Sequence, residues 1–203
     1  MTLLWKPVTQ RLFLSVSTLL FIVLLAACSS LGGTASSPTS TPIPSPTPAL
    51  TMFTGKGYTI SYPKDWTKST TLGQDSFQDS QAANALGILI VANPGGVAKP
   101  STVLDGSLVG AVKGANMTNT SPANLPASVS LAGETWIQKG TTGTVSKGGA
   151  SAPFEVVVLA TNHPAKTPQT RVFEFIYAGP VAGSTMLDAP IFQAMLASFK
   201  FTS

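Results

Sequence analysis

The stretch that most limits this chain is "SSLGGTASSPTSTPIPSPTPALT", residues 29 to 51, directly after the sole cysteine, Cys28. It is built almost entirely of Ser, Thr, Pro, Gly and Ala, with no charge and almost no bulky apolar side chain. Such a segment buries too little surface to offset the entropy lost on ordering. Pro38, Pro42, Pro44, Pro46 and Pro48 bias it toward extended polyproline II. The tract therefore divides the 203 residues into an oily leader before it and about 150 residues after it in which a core can form.

The leader has a positive start, Lys6 and Arg11, and then "LFLSVSTLLFIVLLAA", residues 12 to 27, without a charge. A membrane-spanning helix needs about 20 apolar residues, so the run is short for a span and fits a secretory signal peptide. Leu25, Ala26 and Ala27 before Cys28 resemble the bacterial lipobox, where a peptidase cuts ahead of a lipidated cysteine. The resemblance implies a diacylglycerol thioether on Cys28. One acyl chain holds a protein only marginally, but each buried CH₂ contributes about 0.8 kcal/mol, so two or three chains anchor it. The expected organisation is a signal peptide over 1–27, a lipidated cysteine and tether over 28–52, and a globular domain over 53–203. At about 3.1 Å per residue, the tether would hold that domain several tens of ångströms from the bilayer, on the extracytoplasmic side of the cell membrane.

Charge removes one class of partner. Twelve Lys and Arg stand against eight Asp and Glu, but Lys6 and Arg11 leave with the signal peptide, and ten against eight is a net charge of only +2. The lysines are scattered singly, so no basic surface for nucleic acid is expected. An occupied single thiol also leaves no disulfide and no cysteine-based metal site.

In the globular part, "YTISYP" alternates as a half-buried strand that Pro63 ends, and "PKDW" turns so that Trp66 folds back on the core. "LGILIVAN" (86–93) is a continuous apolar run stopped by "NPGG", which predicts a central strand and a turn. "STVLDGSLVGAVKG" (101–114) spaces Val103, Leu104, Leu108 and Val112 as a helix, capped by Ser101 or Thr102 and weakened by Gly106 and Gly110. "SVSLAGETWIQKGTTG" predicts two strands bent at Ala132-Gly133. "PFEVVVLATN" (153–162) and "TRVFEFIYAG" (170–179) are rich in β-branched and aromatic residues and read as paired strands, with "HPAKTPQ" the hairpin loop. "DAPIFQAMLASFKF" predicts a helix with Asp188 at its N-cap, Pro190 in its first turn and a buried stripe of Ile191, Phe192, Met195, Leu196 and Phe199. Antiparallel strands with helices packed on them make an α+β domain.

"GYTISYPKDW", "LAGETWIQKG" and "IFQAMLASFKF" resemble the PsbP-like domain, a family named for an extrinsic subunit of photosystem II that also includes many bacterial lipoproteins. The resemblance spans nearly the whole globular part. It implies an antiparallel sheet packed between helices, an α/β/α sandwich, and a binding or scaffolding role. It carries no catalytic residues over.

Chemistry is sparse. The single histidine, His163 in "TNHPAK", is expected as a solvated loop residue, with no "HxH", "HExxH" or partner cysteine to make it a ligand. No G-x-S-x-G elbow occurs. Asp75 and Asp79, spaced to share a helix face with Gln74 and Gln78, lack the oxygen density of a calcium loop and are expected on a solvated face. Glu155 and Glu174, in the two strongest strands, are expected on one outward face rather than as a glycosidase dyad. No cofactor or metal is expected. Trp66, Trp136 and Phe175 are the candidate ligand groove, with Phe53, Tyr58 and Tyr62 beside them; packing in a core is the competing role.

These residues point to a non-enzymatic, membrane-anchored lipoprotein that binds or scaffolds an envelope protein complex. A carrier or sensor of a small apolar ligand is the alternative, and a hydrolase is disfavoured by the missing His and carboxylate clusters.

Overall fold

The computed structural model describes residues 49–80, 83–181 and 190–202. The expected signal peptide, Leu25 to Cys28, nearly all of the expected tether and the expected N-cap Asp188 lie outside these residues.

Among the described residues, eleven strands and two α-helices follow in the order β1 (Leu50–Gly55), β2 (Tyr58–Pro63), β3 (Thr67–Thr71), β4 (Gln74–Gln78), β5 (Ala85–Ala92), α1 (Pro100–Gly114), β6 (Thr118–Pro122), β7 (Ser128–Leu131), β8 (Glu134–Lys147), β9 (Ala150–His163), β10 (Arg171–Pro180), α2 (Pro190–Ser198) and β11 (Lys200–Phe201). The fold is α+β and its strand pairs are antiparallel. An eight-stranded sheet runs β3-β4-β5-β10-β9-β8-β6, with β7 paired to β8, and a three-stranded sheet runs β1-β2-β11.

The centre of the large sheet is β9, where Phe154 to Thr161 form an unbroken buried run. That continuity means both faces are covered, since a one-sided strand would alternate. On one face Val156, Val158, Ala160, Val172 and Ala178 pack with Leu104 of α1. On the other, Val157, Leu159, Phe173, Phe175 and Tyr177 pack with Trp136 and with Phe192 and Met195 of α2. Tyr58 and Ile60 of the small sheet join this second cluster, so its cover is shared between α2 and β1-β2-β11 rather than made by a helix alone.

Several expectations need correcting. Strand β1 begins at Leu50, inside the stretch read as tether. Helix α1 starts with Pro100 at its first position after Lys99 and makes no side-chain cap, so neither Ser101 nor Thr102 caps it. Proline suits that position because its missing N–H would be unpaired there anyway. Asp75 and Asp79 are on and after strand β4, not on a helix, and they serve different turns. Asp75 accepts hydrogen bonds from the Tyr58 and Thr70 hydroxyls. Asp79 accepts from the backbone N–H of Ala83 and Asn84 and from the Asn84 amide.

Candidate functional site

The candidate aromatic groove of Trp66, Trp136 and Phe175 is packed core. Trp136 and Phe175 are fully buried, with ring centroids 4.8 Å apart and planes within 12°. Trp136 donates its indole N–H to the Leu131 carbonyl at 3.0 Å, which satisfies the one polar atom of a buried ring. Trp66 packs edge-on against Phe192 at 5.9 Å. Phe53 and Tyr62 pack on Phe77, 5.5 and 4.7 Å away. These rings fill the core because the sheet and α2 leave no solvent between them.

The two glutamates are also misplaced by the outward-face expectation. Both are buried, each at 1% exposure. Ala160 stands opposite Glu174 in the β9–β10 register, and Gly179 opposite Glu155. Alternation then sends Glu174 to the α1 face, where the Ser107 hydroxyl donates to it at 2.7 Å, and Glu155 to the face of Val157 and Leu159. The pair therefore cannot share a cleft. Burial pushes the Glu174 carboxyl up to about 7, against the lowering effect of the Ser107 bond. Its second oxygen, Oε1, is buried without a hydrogen-bond partner.

His163 is not a solvated loop tip. It closes β9, its ring stacks on Phe201 with centroids 3.6 Å apart, and its Nδ1 lies 2.8 Å from Glu134 Oε1. Phe201 comes from the chain's end, which local reading of "TNHPAK" gives no means to foresee.

The concave surface lies elsewhere, between α2 and the β7–β8 hairpin. Residues Ala123 to Pro126 form part of its wall by crossing close over Gly140 of β8. A Cβ there would stand 2.7 Å from Leu125 Cδ1 and 3.0 Å from Ala123 Cβ, so a side chain at this position would displace Leu125. The hairpin itself turns through Ala132 (φ 52°) and Gly133 (φ 81°), a primed turn that suits the twist of its strands. Helix α2 is tied down on the opposite side by Ser198, whose Oγ accepts from the Ser61 N–H at 2.7 Å and donates to the Met195 carbonyl at 2.6 Å.

Two recesses result. The first, about 560 Å³, is lined by Leu125, Pro126, Val129, Leu131, Leu159, Leu196 and Ala197, with Asn124, Ser130, Gln138 and Gln193 among them. Gln138 donates from Nε2 to the Pro126 carbonyl at 2.7 Å, which orients its amide, and its Oε1 is buried without a partner. The second, about 1070 Å³, is lined by Phe173, Phe199 and Phe201 and by His163, Arg171 and Lys200, among others. The recesses share Ser130, Leu131, Leu196 and Ala197 and so form one continuous groove. Sequence reading missed it because its parts come from β7, α2 and β11; Leu196 is legible only as part of the buried stripe of a helix.

Ser130 lines the groove near His163 but belongs to the other face of the sheet. It pairs with Thr135, whereas the flanking Val129 and Leu131 pack on the core that holds Trp136. The His163–Glu134 pair and Ser130 thus do not converge as nucleophile and base. Among the described residues, no three His, Cys, Asp or Glu side chains cluster to hold a metal ion, and no helix is long and apolar enough to cross a membrane.

No family model and no curated protein matches the chain. Among solved structures, the chain is similar to LpqN, described as involved in cell envelope biogenesis of Mycobacterium tuberculosis. The two share 16% identity at a TM-score of 0.46, over 76% of this chain and 91% of that one.

Proposed function

We propose that this chain is a non-enzymatic bacterial lipoprotein, held to the extracytoplasmic face of a membrane by acyl chains on Cys28, whose PsbP-like domain binds a small apolar-bodied ligand in the groove between β7 and α2. The anchor rests on the uncharged leader and on Leu25, Ala26 and Ala27 ahead of Cys28. The PsbP-like assignment rests on the three quoted segments, which lie at β2 with its turn, at the β7–β8 hairpin and at α2 with β11.

The observation that carries the binding role is the groove itself. Its recesses, about 560 and 1070 Å³, are of the size of small-molecule sites, about 300–1,000 Å³. A concave, largely apolar site favours a carrier or sensor over a scaffold, because docking a protein partner stably takes about 800 Å² on each side. The opposite facing of Glu155 and Glu174, and of Ser130 and His163, supports binding without a reaction.

The test is site-specific photo-crosslinking of the full-length protein in its own membrane. A photoreactive residue at Leu131 is expected to capture a low-mass adduct by mass spectrometry, and one at the exposed Val97 to capture none. Reproducible capture of one envelope protein at Leu131, without a small molecule, would return the scaffolding role to first place.

A further inference from the structure

The two recesses differ in charge, and on the groove-binding reading above that difference names the ligand. The first recess has no charged residue in its described lining, and its walls include Leu125, Val129, Leu159 and Leu196. The second carries Arg171, Lys200 and His163, with no carboxylate in its described lining. Glu134 is held by His163 at 2.8 Å, and the only other ion pair among the described residues joins Lys139 to Asp105. Among the described residues, Arg171 and Lys200 therefore have no acidic ion-pair partner, and they stand beside the aromatic wall of Phe173 and Phe201.

We infer that the groove binds a single-chain fatty acid, with its alkyl chain in the first recess and its carboxylate on Arg171, with the exposed Lys200 at the rim. Removing an alkyl chain from water is favourable in proportion to the area covered. The guanidinium fork of Arg171 matches the two oxygens of a carboxylate, and this pairing is among the stronger hydrogen-bonded contacts in proteins. The shared wall at Leu131 and Leu196 lets one molecule reach both recesses. A first recess of about 560 Å³ suits one chain better than the paired chains of a bilayer lipid.

The test uses the full-length lipoprotein in phosphatidylcholine nanodiscs with two matched probes, photoreactive palmitic acid and photoreactive hexadecanol, mapped by mass spectrometry. The acid is expected to label residues around Leu131 and Leu196 about tenfold more than the alcohol, the discrimination one charge-assisted contact provides. Arg171→Gln is expected to bring acid labelling down to the alcohol's level and to leave alcohol labelling unchanged. Lys200→Gln, at an exposed position, is expected to lower acid labelling in the same direction and serves if Arg171→Gln fails to fold. Equal labelling by acid and alcohol in the wild type would overturn the fatty-acid assignment while leaving groove binding in place. Absence of labelling by both probes would overturn both. Displacement of the acid by phosphatidylglycerol in the nanodisc would show a bilayer headgroup as occupant and would also overturn the assignment.

Discussion

Glu174 stands between Phe173 and Phe175 in sequence, yet its side chain lies under α1 while theirs lie in the aromatic core. Its position makes stability depend on pH in a definite direction. The carboxyl titrates near 7 in the folded chain and near its ordinary 4.5 when unfolded, so between those values the unfolded state has lost a proton that the folded state keeps. Stability is fully present below about pH 4.5, falls as pH rises toward 7, and stays at the lower level above. The loss is on the order of 3 kcal/mol at most, since each pKa unit corresponds to about 1.4 kcal/mol. Glu174→Gln cannot ionise, so urea midpoints of wild type and variant should diverge across this window, with the variant the more resistant at pH 8. Parallel midpoints would mean that Glu174 ionises in the folded state as freely as in water. Gln138 Oε1, also buried without a partner, has no proton to titrate and adds nothing to this slope.

At the scale of elements, the groove depends on how firmly α2 is held. The helix is only nine residues, Pro190–Ser198, too short to be stable alone. Its apolar contacts come from Phe192 and Met195, and its end is joined to β2 through Ser198. Ser198→Ala leaves the Ser61 N–H without its partner, a change worth about 1–3 kcal/mol when a buried donor is orphaned. The expected outcome is lower stability together with faster hydrogen exchange at the Ser61 amide, while amides at the centre of β9 keep their protection relative to global unfolding. Unchanged exchange at Ser61 would show that the apolar contacts of α2 suffice. The Lys139–Asp105 pair between β8 and α1, by contrast, is 2.6 Å long but half exposed on both sides, and such pairs contribute little.

At the scale of the whole molecule, anchor, tether and domain are three physical regimes joined in one chain. On the proposed reading, lipid would hold the first and the Pro-rich composition would favour extension of the second, while burial orders the third. Cys28→Ala removes the only thiol that can carry a diacylglycerol thioether. Its expected consequence is a polypeptide that retains residues 1–27 and lacks any acyl mass, measured on the intact protein. A cleaved product in that variant would mean that an ordinary secretory peptidase acts here and that the lipobox resemblance is accidental.

Local pattern was enough for much of this. The uncharged leader ending in Cys28 and the Pro-rich tract set the expected organisation without any long-range contact. The β-branched and aromatic runs became β9 and β10, the "NPGG" stop ended β5 at Ala92, and the 101–114 periodicity became α1, because each signal lies within one element; the helix read over "DAPIFQAMLASFKF" became α2 only over Pro190–Ser198, with Lys200–Phe201 drawn into β11 by pairing with β2. Strands β3, β4 and β6 were missed, since "TKSTT", "QDSFQ" and "TNTSP" carry little apolar alternation and form through pairing. What only the tertiary structure decided was which side each residue faces and what stands beside it. A strand's side chains alternate with a period of two, so the register of β9 on β10 sets Glu155 and Glu174 on opposite faces. The stacking of His163 on Phe201, the burial of Trp136 against Phe175 and the groove between β7 and α2 each join segments distant in sequence. Such contacts are products of chain folding in three dimensions, and no window of consecutive residues contains them.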